Sequence, residues 1–246
     1  MTMRLSTNIM RTILLILTSA LLNSFIQANA YWTKVYLRIE GRDRTLFERY
    51  VLTTGHIVTT ALGGTHECDG TNNGAHTTPG ATIVSAIDDA VSTWDGDYDK
   101  SIRDYKITSI ENQLEEGDER WRLLIGYGIR ERGCQSQVVA DDHVLVAFGD
   151  VNVDTFLKMK ADRKTVDVNG KVVFTVTNGV NGKPVKGANI VPLPLNGGTK
   201  HTTDDNGKAT IPFTSADKYK YKAEMDGAIR SNVVVIRVEN THPAGY

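Results

Sequence analysis

Five Asn-Gly dipeptides lie between positions 169 and 207, and they constrain the fold of this chain more than any other feature. They are Asn169-Gly170, Asn178-Gly179, Asn181-Gly182, Asn196-Gly197 and Asn206-Gly207. Asn and Gly enter positive φ at little cost, so each pair favours a tight reversal and none suits a helix interior. Short strand-like runs separate them, at 156–159, 171–177, 185–191, 208–213, 219–225 and 233–238. No helical period occurs beyond position 154. Short strands with turn signals at this spacing predict an all-β sandwich over 151–240, followed by a short tail at 241–246.

The first half reads differently. From 32 to 40 the residues alternate, with Val35, Leu37 and Ile39 on one face and Tyr36, Arg38 and Glu40 on the other, which predicts a half-buried strand. A turn at 41–44 and a second alternating run at 46–52 complete a hairpin. Ile83, Ile87, Val91 and Trp94 then recur at helical spacing. This predicts a helix that opens at Pro79-Gly80 with Thr78 as its cap and stops at Trp94-Asp95-Gly96. Strands follow at 105–110, 121–129 and 144–148, with an acidic turn at 115–119 between the first two. Two strands, one helix and further strands predict an α+β roll of the β-grasp layout over 31–150.

The ends and the composition set the compartment. Arg4 and Arg11 precede an apolar run at 13–22, and Ala28-Asn29-Ala30 closes the segment. That order predicts a signal peptide over 1–30 and a secreted mature chain that starts at Tyr31. The run is about half of the ~20 residues that a membrane-spanning helix needs. The formal net charge of the 246 residues is −1. No basic stripe with interleaved aromatics is present, which argues against nucleic acid as a partner. The chain has two cysteines. In an exported protein they predict one disulfide, Cys68–Cys134.

Cys68 sits in a stretch, 63–80, that is rich in Gly, Asn and Thr and predicts neither strand nor helix. The run from Gly63 through His66, Cys68, Asp69, Asn72 and Asn73 to Gly74 resembles a family of secreted microbial proteins related to the C-terminal β-grasp domain of transcobalamin. The helix at 85–90, Trp94-Asp95-Gly96, the strand with Trp121, Gly133-Cys134-Gln135 and Val146-Ala147-Phe148 extend that resemblance across about 35–148. One departure is that Gly126-Tyr127 stands where the family pattern often carries an Asn. Gly182-Lys183-Pro184-Val185 and Thr202 to Ala209 resemble the immunoglobulin-like modules of carboxypeptidase-regulatory and invasin type, which implies a spacer or adhesive unit.

His66, Asp69, Asn72 and Asn73 surround the anchored cysteine, and Trp121 and Tyr127 are read as sharing one strand, upstream of Cys134. These six are the candidate ligand contacts, although a Trp in a strand such as that of Trp121 is more often core than ligand platform. A zinc site is not expected, because Cys68 is taken by the disulfide and a closed site needs four ligands. Asp95, Asp97 and Asp99 imitate the start of a calcium loop, but Lys100 and Lys106 replace its Gly and closing Glu. No nucleophile elbow, zinc-protease helix, phosphate loop or cofactor fingerprint is present. The sequence therefore predicts a secreted, non-enzymatic binding protein without a cofactor, with a glycan, peptide or small molecule as its extracellular ligand. The competing reading is an extracellular hydrolase whose carboxylate site lacks a recognisable motif.

Overall fold

The alternation at 32–40 produces the strand around which the first half is built. The computed structural model describes residues 32–194 and 199–240. In it β1 (Thr33–Glu40) pairs antiparallel with β2 (Thr45–Thr53), and β3 (His56–Thr60) pairs with β4 (Gly64–Cys68). After α1 (Ile83–Ala90) come β5 (Trp94–Asp99), β6 (Asp104–Ile110) and β7 (Gln113–Leu114), which form a three-stranded antiparallel sheet. Next are β8 (Glu119–Ile125), β9 (Gly128–Arg130) and β10 (His143–Asp150). β10 returns parallel to β1 and closes a mixed sheet in the order β2-β1-β10-β8-β9. The expected signal segment 1–30, the turn at Asn196-Gly197 and the tail 241–246 lie outside the described residues.

One face of the mixed sheet carries Val35, Leu37 and Ile39 of β1, Leu123 of β8 and Val144, Val146 and Phe148 of β10. Ile83, Ala86 and Ile87 of α1 lie against it. Burial of each Val, Leu or Ile is worth roughly 1.5–3 kcal/mol, so this face is the main apolar core of the half.

Three expectations are corrected here. The helix starts at Ile83, not at Pro79, and its cap is Thr82, not Thr78. Thr82 accepts from the Ser85 N–H, and the Ser85 hydroxyl accepts from the Thr82 N–H. Upstream, the Gly80 N–H donates to Asp69, which ties this backbone to the loop. The helix stops at Ala90 because Val91 is extended, and Trp94 joins β5 opposite Ile110. The stretch 63–80 is not wholly without strand, since 64–68 forms β4. Its partner β3 supplies the ladder, and such pairing overrides a weak local preference.

The second half runs through β11 (Leu157–Ala161), β12 (Thr165–Asp167), β13 (Lys171–Asn178) and β14 (Asn189–Leu193). It continues with β15 (His201–Thr202), β16 (Lys208–Pro212), β17 (Asp217–Glu224) and β18 (Val234–Glu239). They form two sheets, β11-β13-β16 and β12-β18-β17-β14-β15. Leu157, Phe174, Ile190 and Ile236 are fully buried in the core of this β-sandwich. The strand expected at 185–191 is shifted to 189–193, because the Gly187 and Ala188 amides bond to Thr203 instead of to a long strand. From Trp32 onward both halves belong to one compact unit.

Candidate functional site

The loop at 63–80 is fastened from several sides. Cys68 and Cys134 are bonded, with Cα atoms 4.7 Å apart and both side chains fully buried. Contrary to the polar look of the surrounding sequence, Val58, Val84 and Tyr105 pack around the bridge. The Gly70 N–H donates to the Cys134 carbonyl at 2.9 Å. Opposite, the buried Asp104 carboxylate accepts from the amides of Gly133, Cys134 and Gln135. Burial pushes the Asp104 carboxyl above its ordinary range, and these backbone donors offset only part of that rise.

The six sequence-derived contact residues do not converge. Asp69 is buried and accepts from the Thr71 amide and hydroxyl, at 2.9 and 2.7 Å. Asn72 is buried and donates to the carbonyls of Glu67 and Arg103. These two shape the loop from inside. Asn73 is exposed at a left-handed backbone position. His66 is half-buried, stacks on Tyr98 at 3.5 Å and hydrogen-bonds the Gly63 carbonyl. Trp121 packs against Phe148 in the core and donates its indole N–H to Gln113. Tyr127 is not in the strand with Trp121: it is in the turn between β8 and β9, where Gly126 and Tyr127 both have positive φ. Asp95 accepts from the amides of Leu62 and Gly96, and Asp99 from the amide of Ser101. Among the described residues no group of three or more His, Cys, Asp or Glu is placed to hold a metal ion.

Tyr127 leads to a site that the sequence did not mark. Its ring lies against Gly179, where a Cβ would stand 2.1 Å from a ring carbon, and its hydroxyl donates to the Leu157 carbonyl. It thus plugs the first half into the second. Around it the outer face of the mixed sheet, opposite α1, is covered by the sandwich. Leu124, Leu145 and Ala147 meet Phe156 and Ile229 there. Beside them lies a buried charge network. Lys222 pairs with Glu40 and, at 2.8 Å, with Glu48, while the Arg230 Nε donates to Glu40 at 3.1 Å. Arg38 donates to the Arg230 carbonyl at 2.6 Å and approaches Glu40 at 3.5 Å. The side chains of Glu40 and Lys222 are 1% and 4% exposed. Arg38 and Glu40, on the polar face of a strand expected to be half-buried, are therefore buried as well.

Two clefts flank the network. One of about 420 Å³ includes Arg42, Glu119, Asp150 and Arg230 in its lining. The other, about 400 Å³, is lined by Tyr36, Arg38, Tyr127, Asp141, His143 and Lys158, among others. Tyr36 meets Tyr50 edge-on at 5.2 Å and His143 at 5.0 Å. Burial and the neighbouring Glu48 carboxylate push the Tyr36 hydroxyl well above its usual range. Beyond the cover of the sandwich the same face leaves Tyr50 48% and Leu52 60% exposed.

No protein-family profile matches this chain, and no curated protein matches it. Among solved structures, the D00-D0 domain of intimin is similar over 58% of this chain and 77% of its own length, at 18% identity and a TM-score of 0.24. FdeC, a broadly conserved Escherichia coli adhesin, is similar over 61% of this chain and 49% of its own, at 14% identity and a TM-score of 0.26.

The only sequence sign of the seam was the position of Arg38, Glu40 and Glu48 in strands whose other face is apolar. Lys222 and Arg230 lie more than 170 residues away, so no local pattern announces their pairing. A second cluster also escaped notice. His56 bonds the Thr54 carbonyl at 2.8 Å and the Asp88 carboxylate at 3.0 Å, and Asp88 accepts from the Trp94 indole at 2.9 Å.

Proposed function

We propose that this chain is an exported, non-enzymatic binding protein whose two halves act as one rigid body and take their ligand at the seam between them. The observation that carries the reading is the buried charge network. A flexible spacer presents no reason to bury Lys222 against Glu40 and Glu48, whereas a fixed composite surface does. The linker supports the same reading, since Arg122 donates to the carbonyls of Asp150, Val151 and Val153 across it. The first half is read as a β-grasp domain of the transcobalamin C-terminal type, supported by one helix on a mixed sheet whose first strand runs parallel to its last. The sandwich is read as an immunoglobulin-like module. The buried disulfide fits an oxidising, extracellular setting. No helix among the described residues is long and apolar enough to cross a membrane.

Spending of the carboxylates supports binding over hydrolysis. Glu40 and Glu48 are paired with Lys222, and Glu119 is paired with Arg42 in the larger cleft. The test is to measure adsorption of the full chain to cell surfaces and to matrix preparations, alongside turnover of chromogenic glycoside, ester and peptide substrates. Saturable adsorption without turnover is expected. Turnover that disappears on replacing a single cleft carboxylate would establish the hydrolase instead.

A further inference from the structure

The smaller cleft has a floor made by the central strands of the mixed sheet, and this limits what it can hold. β1 and β10 are bonded to neighbours on both sides, so they offer no free backbone ladder to an extended peptide. Recognition there rests on side chains. Tyr36 and His143 form an aromatic wall of the cleft, with ring centroids 5.0 Å apart. Set against that wall are polar groups of both signs. Asp141, Asp142, Arg38 and Lys158 all line the cleft. Asp142 is tied to the Val139 amide and Arg38 to the seam, whereas Asp141 and Lys158 have no ion pair among the described residues.

These features discriminate between ligand classes. An anion would face the two aspartates and a cation would face Arg38 and Lys158. A wholly apolar molecule would strip water from Asp141 and Lys158 and return no hydrogen bond. A neutral ligand with one apolar face and an edge dense in hydroxyls meets every requirement. Resting on the seam reading above, we infer that this cleft is a binding site for a neutral saccharide. A sugar ring lies with its C–H face on the Tyr36–His143 wall and directs its hydroxyls to Asp141 and Lys158. A volume of about 400 Å³ falls within the range of pre-formed small-ligand sites.

The experiment uses the full chain and a panel of neutral oligosaccharides (glucans, galactans and mannans) with sialylated and sulfated counterparts, read by saturation-transfer NMR and calorimetry. Binding to at least one neutral member is expected, with the sugar C–H protons saturated most strongly. His143→Ala, Asp141→Asn and Lys158→Met should each weaken it about tenfold or more, the equivalent of about 1.4 kcal/mol. All three positions are at least partly solvent-exposed, so their melting temperatures should match the parent chain. Asn also tolerates the left-handed backbone at position 141. Binding only to acidic members, or neutral binding untouched by the three variants, overturns the inference. So does an absence of glycan binding, and if the chain still adsorbs to cells then the seam reading stands without the saccharide.

Discussion

The two faces of the mixed sheet are built from the same strands and held by opposite chemistry. On one face Val35, Leu37 and Ile39 are sealed by α1, and the contact is mainly apolar, with one buried hydrogen bond from the Thr53 hydroxyl to Ser85. On the other, Arg38, Glu40 and Glu48 are sealed by the sandwich through Lys222 and Arg230. The first face is non-directional: any well-shaped apolar cover would stabilise it. The second is directional, because buried charges tolerate only a partner of the right sign in the right place. One face gives the half its stability, and the other fixes where the second half sits. That division explains how two modules joined by a short linker form one body.

The hardest way to break the comparison is to remove the cation. Lys222→Met leaves Glu40 and Glu48 buried without an ammonium, and a loss of about 3–5 kcal/mol is expected. Leu37→Ala on the apolar face should cost about 2–5 kcal/mol by cavity formation. Chemical denaturation distinguishes the two. Lys222→Met should split unfolding into two transitions as the halves uncouple, while Leu37→Ala should lower a single transition shared by both halves. A Lys222→Met cost within the ±0.5 kcal/mol of an ordinary surface change would show that the seam is open in solution.

Next in size is the disulfide, which belongs to the apolar side because Cys68 packs on Val84 of α1. The bridge spans 66 residues, and losing it through a double Cys→Ser replacement should cost about 2–5 kcal/mol. Limited proteolysis should then cut first between 63 and 80 while the seam stays intact. Cutting first at the linker instead would mean that the loop does not depend on the bridge.

A smaller perturbation sharpens the seam. Gly179→Ala places a methyl 2.1 Å from the Tyr127 ring and should cost about 1–3 kcal/mol through overpacking. In a Tyr127→Ala background the same change should cost much less, because the ring it strikes is gone. A thermal-denaturation double-mutant cycle reads that difference, and additive costs would remove Tyr127 from the plug role.

Legibility in the sequence followed the same division. The apolar face, both strands of the first hairpin, the disulfide and the strand-rich second half were readable because alternation, cysteine count and Asn-Gly turns are local signals. Gly182 and Gly207 do adopt positive φ at their turns. Gly179 does not, and its value is the room it leaves for Tyr127. The helix start was misread because Pro79-Gly80 is a good local opening, while the true cap depends on Thr82 and on the hold of Asp69 over Gly80. β4 was missed because a strand rich in Gly and Thr forms only against its partner. Among the candidate contacts, Asp69 and Asn72 were read as ligand groups because free and internally bonded polar side chains look alike in a sequence.

The smallest expected effect lies on the helix side, where His56 joins β3 to α1. Both of its ring nitrogens face acceptors, the Thr54 carbonyl and the Asp88 carboxylate, so both bonds form together only in the imidazolium. The hydrogen bond to Asp88, opposed by burial, raises the His56 pKa above its ordinary value. Burial alone would raise Asp88, but hydrogen bonds from His56 and Trp94 outweigh it and hold that carboxylate below its usual range. The stabilisation from His56 is therefore fully present below its unfolded pKa of about 6.5 and is lost as pH rises through the higher folded value. Asp88 acts in the other direction: its share is present above about 3.8 and lost as pH falls through its lower folded value. Between these limits the pair is worth less than about 1 kcal/mol, since both groups are partly exposed. Denaturation midpoints of the parent chain and His56→Asn should differ most near pH 5–6 and converge above the folded histidine pKa. A His56→Asn difference that stays constant from pH 5 to pH 9 would mean that the ring is neutral in the folded chain and only one of its two bonds is made.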